Sequence, residues 1–164
     1  MEGRYMINLY HGSNVSIEQI DLNKGHKGKD FGKGFYLSET IEQATAMAKV
    51  VTAREGVGVP TLNIFQFDDK VLKSSDLRVK IFTGYDEEWA RFILLNRQNK
   101  TDIPMHNYDI VYGPIADDRV GYQIYNLMKG TRTMQEFVEG LKFVQPTFQY
   151  CFGTERAIQY LKKI

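Results

Sequence analysis

Hydrophobic and polar positions change their spacing several times along the chain, and each change marks an element. Met6 to Tyr10 is a short apolar-rich run that reads as a strand. Lys24-Gly25-His26-Lys27-Gly28-Lys29 offers no face to bury and reads as a solvated loop, suited to a mobile lid. Gly34-Phe35-Tyr36-Leu37 is strand-like again, with Phe35 and Leu37 on the core face and Tyr36 on the other. A helix then starts at Ser38 or Thr40, with Gln43 three residues after Thr40 as in a capping box. Ile41, Ala44, Met47, Ala48 and Val51 recur at helical spacing along it, and Gly56 is a plausible stop.

Further on, Thr61 to Phe67 and the shorter Val79 to Phe82 are rich in strand formers, and Asp86 to Asn96 reads as a helix carrying Trp89, Phe92, Ile93 and Leu95. Ile110 to Pro114 reads as a strand ending in a turn, after which Asp117 or Asp118 caps a helix running towards Met128, with Gly130 beyond its end. Thr133 and Glu136 form a capping box for a helix to about Lys142. Thr147 to Phe152 is a last strand, followed by a terminal helix capped by Thr154 and containing Ala157, Ile158 and Leu161. Strands with interspersed helices and few clean βαβ repeats predict a mixed α+β fold.

Composition narrows the function classes. A chain of 164 residues with 43% hydrophobic residues is long enough for a single domain over residues 1–164. Lys plus Arg number 21 against 20 for Asp plus Glu, so a net charge of +1 creates no long-range field to recruit nucleic acid or a membrane. The first eight residues lack the apolar core of a signal peptide, and no run approaches the roughly 20 apolar residues of a spanning helix, so the expected location is cytoplasmic. With one cysteine, no internal disulfide forms, and Cys151 within Phe148-Gln149-Tyr150-Cys151-Phe152 reads as a small buried hydrophobe. His11, His26 and His106 share no short helical spacing, so no metal site is expected.

Two segments carry the chemistry: Leu9-Tyr10-His11-Gly12-Ser13 and Asp30-Phe31-Gly32-Lys33-Gly34-Phe35-Tyr36-Leu37-Ser38. Each joins an aromatic-rich strand to glycine and to a residue able to hydrogen-bond or stack. A pocket for a flat, sugar-bearing ligand needs these features, and together they point to a nicotinamide dinucleotide. The blander alternatives are a core histidine beside a turn glycine and an ordinary strand tyrosine.

These segments, followed by an alanine-rich helix, resemble the first two signature segments of the ADP-ribosyltransferase superfamily, and the Gly-x-Gly-x-Tyr order is similar to that of poly(ADP-ribose) polymerases. Tyr108 to Asp118 and Gln149 to Ala157 extend the resemblance to a bacterial branch, the domain of unknown function 3990. The resemblance implies a split mixed or antiparallel β-sandwich with flanking helices. It also implies NAD as co-substrate and transfer of ADP-ribose to a macromolecular acceptor, a protein in preference to nucleic acid, with a role in bacterial conflict or phage defence.

On that basis His11 would bond a ribose hydroxyl, the Gly12 backbone would approach the nicotinamide amide, and Ser13, Gly34 and Ser38 would complete the NAD contacts. Tyr36 would stack on the nicotinamide. Cleavage of the nicotinamide–ribose bond develops oxocarbenium character, so the site must hold leaving group and ribose rigidly. Where relatives place a glutamate on a late strand this chain offers Gln149, which can bond the ribose hydroxyl but carries no charge. Glu155 is the alternative acid, although it reads better as a first-turn helical residue. Asp109 leaves a substrate-side role open. Two other readings compete: a catalytically weak NAD or ADP-ribose binding module, motivated by Gln149, and an RNA 2′-phosphotransferase-like enzyme, which would need arginines and has only Arg4 near the first segment.

Overall fold

The computed structural model describes residues 6–164; Arg4, the arginine nearest the first segment, lies outside them. Seven strands form one mixed sheet in the order β4-β5-β6-β2-β1-β3-β7: β1 Met6–Ser13, β2 Phe35–Ser38, β3 Thr61–Asp68, β4 Val79–Ile81, β5 Ile110–Pro114, β6 Phe148–Phe152 and β7 Leu161–Lys163. Only β4 and β5 run parallel; the other neighbours are antiparallel. Five helices accompany them: α1 Ile41–Glu55, α2 Glu87–Arg97, α3 Asp118–Lys129, α4 Met134–Gly140 and the single-turn α5 Glu155–Ile158. The fold is mixed α+β, as expected.

The sheet is curled. Phe67 on β3 and Phe152 on β6 are three strand steps apart, roughly 14 Å in a flat sheet, yet their rings meet edge to face at 5.2 Å. Leu9, Phe35, Leu37, Phe65, Ile110 and Tyr150 join them in one buried core on the concave side. The opposite face of β2, β5 and β6 carries a second core, in which Val111 and Cys151 pack against Trp89, Ile93, Val120, Ile124 and Phe137 of α2, α3 and α4. The curl is centred where β1 meets β2: β1 pairs with β3 along its whole length, but its ladder with β2 holds one register pair, Tyr10–Ser38.

Local chemistry sets most boundaries. The Thr40 side chain accepts from Gln43 N at 3.3 Å and is the N-cap of α1, while Gly56 ends that helix at φ 69°, a conformation glycine adopts without penalty. Asp117 caps α3, and Thr133 with Glu136 makes the complete reciprocal box of α4. Two expectations need correction. Along α1 only Ala44 and Ala48 are buried; Ile41 and Met47 face solvent, because the helix lies so close to β1 that its contact stripe admits only alanine. The terminal helix stops at Ile158, and Leu161 instead pairs with Phe67 as part of β7, so strand pairing overrides local helix pattern. Just after the loop of residues 24–29 the chain is anchored: Asp30 is ion-paired to Arg97 at 2.6 Å, and Phe31 is fully buried.

Candidate functional site

His11 stands on β1 just past the Tyr10–Ser38 pair, where the two strands part. Its Nδ1 lies 2.6 Å from the Tyr36 carbonyl oxygen, which can only accept, so Nδ1 carries the proton and Nε2 presents a lone pair. Its ring stacks on Phe35 at 4.1 Å. Burial is the main reason its pKa falls to about 4; the Tyr36 carbonyl opposes that shift, and Lys29 and Lys163 add to it. The imidazole is therefore neutral at physiological pH. Among the described residues nothing hydrogen-bonds Nε2, which leaves it open to a ligand hydroxyl.

Tyr36 alternates away from Phe35, so His11 reaches the main chain of Tyr36 and not its ring. The Tyr36 hydroxyl donates to Gly32 O at 2.5 Å and accepts from Phe31 N at 3.0 Å. Burial raises its pKa well above the ordinary value. The Lys29 ammonium sits 4.8 Å from the ring centroid, a cation–π contact. Lys29 has no ion pair among the described residues; partial burial lowers its pKa, with Arg54 the next cause, while Cys151 and Asp30 oppose. The tyrosine thus braces the preceding loop with its hydroxyl and presents its ring to a cation.

The same loop is held from the other side by His106, whose Nε2–H donates to Phe31 O at 2.8 Å while Nδ1 accepts from Tyr108 N. The two histidines are therefore opposite tautomers. Gly32, at φ 88°, fits between the Asn96 and His106 side chains where a Cβ would be strained.

Gln149 pairs with Ser38 across β2 and with Gly113 across β5. Cys151 is directly opposite Tyr36, so Gln149 shares a sheet face with Tyr36 as its diagonal neighbour, at a Cβ separation of about 7–8 Å. Gln149 is half-buried, and its amide has no hydrogen bond among the described residues. Ser38 is buried, and its hydroxyl accepts from Thr40 N at 3.1 Å. Cys151 is buried with its thiol pushed up to about 12 by burial, which removes it as a nucleophile at neutral pH.

The glycines of both segments make room for structure. A Cβ on Gly12 would lie 1.9 Å from Ala44 O, and one on Gly34 would lie 2.6 Å from Cys151 Sγ, so Gly12 admits α1 and Gly34 admits β6. Ser13 is buried, with its hydroxyl turned to Asn14 Oδ1. Glu155 is exposed in the first turn of α5, beyond the end of β6 away from Gln149. Asp109 is buried and structural: its carboxylate accepts from Arg78 N at 2.8 Å and from the Thr154 hydroxyl at 2.7 Å, tying β4, β5 and α5 together.

Among the described residues the geometry defines a curled α+β protein with a neutral histidine, a braced tyrosine, a lysine without an ion pair and a glutamine without a side-chain hydrogen bond around the parting of two strands. The chain belongs to the family described as protein of unknown function (DUF3990), whose profile matches residues 7–163. Comparison with curated proteins and with solved structures gives no match. Among the described residues no helix is long and apolar enough to cross a membrane, and no three His, Cys, Asp or Glu side chains gather as a metal site.

Proposed function

We propose that this chain is a cytoplasmic bacterial ADP-ribosyltransferase that takes NAD as co-substrate, releases nicotinamide and transfers ADP-ribose to a protein acceptor. The observation that carries the reading is His11, held as the Nδ1–H tautomer with an Nε2 acceptor that nothing bonds among the described residues, beside an ammonium, Lys29, that forms no ion pair among them. A neutral acceptor suits a ribose hydroxyl, and an unpaired cation suits the NAD diphosphate. On binding, Lys29 would leave the Tyr36 ring for the diphosphate and uncover the face on which nicotinamide stacks. Ser38 and Gln149 follow on the Tyr36 face of the sheet, opposite the face that carries His11, and in this reading the Gln149 amide serves the ribose that becomes cationic. In this reading the resemblance to the superfamily's split sandwich corresponds to the parting of β1 and β2.

Gln149 favours one competing reading, a module that binds NAD or ADP-ribosylated ligands with little turnover, because an amide neither carries negative charge nor takes a proton at neutral pH. Incubating the protein with NAD labelled in the adenylate, together with a cell lysate, separates the two. The transferase reading expects label on a macromolecule and stoichiometric free nicotinamide; NAD binding without either product supports the module. Calorimetry with wild type and His11→Ala tests the site itself, and equal NAD affinities would remove His11 from it.

A further inference from the structure

The concave face carries a second site of opposite charge. An opening of about 480 Å³ lies at the Ile7–Leu9 end of β1, walled by Leu72, Ile81, Tyr112 and Tyr150 and rimmed by the carboxylates of Glu39 and Asp69. Tyr112 and Tyr150 are a directly opposed pair across β5 and β6, with ring centroids 4.6 Å apart, and Phe148 extends the stack at 5.1 Å and 10° to Tyr112.

Neither Glu39 nor Asp69 has an ion pair among the described residues, and no cation lines the opening. Tyr150 is 4% exposed, yet its hydroxyl has no hydrogen-bond partner among the described residues; it lines the opening under the influence of both carboxylates. The Tyr112 hydroxyl lies against Glu39. Burial, then these negative charges, raise the pKa of both phenols, so they stay protonated and neutral.

We propose that this opening binds an arginine side chain of a partner polypeptide. A planar guanidinium stacks on tyrosine faces and offers a fork of donors to carboxylates, so it answers the aromatic wall, the two acids and the unpartnered hydroxyl together. The volume falls within the range of sites that enclose a ligand larger than one side chain, which fits a short peptide segment. Two carboxylates without an ion pair among the described residues repel the diphosphate of NAD, so this opening and the region around His11 take different ligands. The arginine site holds whether or not NAD is turned over.

The test is an NMR titration of the full chain with acetyl-Gly-Arg-Gly-amide and its citrulline counterpart, a neutral near-isostere. The arginine peptide should shift the amides of Ile7, Leu9, Tyr112 and Tyr150 saturably, and the citrulline peptide should not. Glu39→Gln with Asp69→Asn should weaken binding at least about tenfold. Tyr150→Phe, which keeps the wall, should weaken it less. Glu18→Gln, an exposed acid beyond the other end of β1, should leave affinity unchanged. Equal binding of citrulline, an equal loss with Glu18→Gln, or shifts confined to other residues would overturn the assignment. Tighter binding of spermidine than of the peptide would overturn the choice of a planar guanidinium.

Discussion

Acidifying the protein from pH 7 to pH 4 is expected to weaken the fold through His11. In the unfolded chain this ring takes up a proton below its ordinary value of 6.5. In the fold, burial, opposed by the Tyr36 carbonyl and reinforced by Lys29 and Lys163, delays uptake to about pH 4. The unfolded state therefore binds more protons throughout that window, so stability is fully present above pH 6.5, falls as pH falls, and levels off below about 4. For two sites separated in this way, the loss from this ring is about 2 kcal/mol at pH 5 and about 3 at pH 4, upper figures because the ring keeps some solvent contact.

His106 is shifted in the same direction, mainly by burial, so the total pH dependence cannot identify one ring. The informative quantity is a difference: urea unfolding of wild type and His11→Gln at pH 7, 6, 5 and 4.5. Glutamine does not titrate, and the two stability curves should converge by about 2 kcal/mol between pH 7 and 5. Parallel curves would refute the argument. So would a folded-state titration of His11 by NMR with a midpoint near 6.5, since the Nε2 lone pair would then be lost under mildly acidic conditions.

Other substitutions probe the remaining contacts. Tyr36→Phe removes the hydroxyl that serves both Phe31 N and Gly32 O, and should cost about 1–3 kcal/mol in chemical denaturation; a variant as stable as wild type would show that this brace does not contribute. Tyr36→Ala should lose more activity than Tyr36→Phe if the ring is the nicotinamide platform, with activities measured below the melting range of both. Gly12→Ala drives a Cβ into the α1 backbone and should cost more than about 3 kcal/mol by thermal melting, whereas a melting point within a degree or two of wild type would mean α1 shifts freely. Gln149→Ala should lower NAD turnover by about 10- to 100-fold, equivalent to about 1–3 kcal/mol. Gln149→Glu should retain or raise hydrolysis, and loss of activity with Glu155→Gln instead would move the catalytic position six residues along the chain.

Features readable in the sequence are those carried by neighbours. Thr40, Asp117, Thr133 and Thr154 cap their helices through side chains three residues from their targets, so composition within one turn suffices to find them. The opposite facing of Phe35 and Tyr36 follows from strand alternation alone. What escaped depends on partners far along the chain. Leu161 joins β7 because β3 supplies an edge, and Asp30 and Phe31 are fixed by Arg97 and His106, 67 and 75 residues away. Lys29 looked like one more solvated lysine because nothing local marks a cation lying over a ring. Tyr112 and Tyr150 fall within or beside segments singled out for other reasons, but only the pairing of β5 with β6 and the curl of the sheet bring Glu39 and Asp69 to them.

Phe31 is where the fold and the proposed site depend on each other. Its ring is fully buried among Phe82, Phe92 and Tyr36, its N–H is taken by the Tyr36 hydroxyl, and its carbonyl is taken by His106. With both main-chain groups and the side chain committed, the residue has little freedom, and Lys29, two positions earlier, lies with its ammonium 4.8 Å from the Tyr36 ring centroid. Tyr36 in turn offers its carbonyl to His11, so the histidine tautomer, the tyrosine ring and the lysine cation are positioned by one short run of backbone. The loop that composition describes as solvated glycine and lysine thus ends on an anchored residue, with Lys29 beside it over the Tyr36 ring. Gly12 and Gly34 let α1 and β6 come close against β1 and β2. In the proposed site, a ligand would enter where strand pairing lapses between β1 and β2 beyond Tyr10 and Ser38.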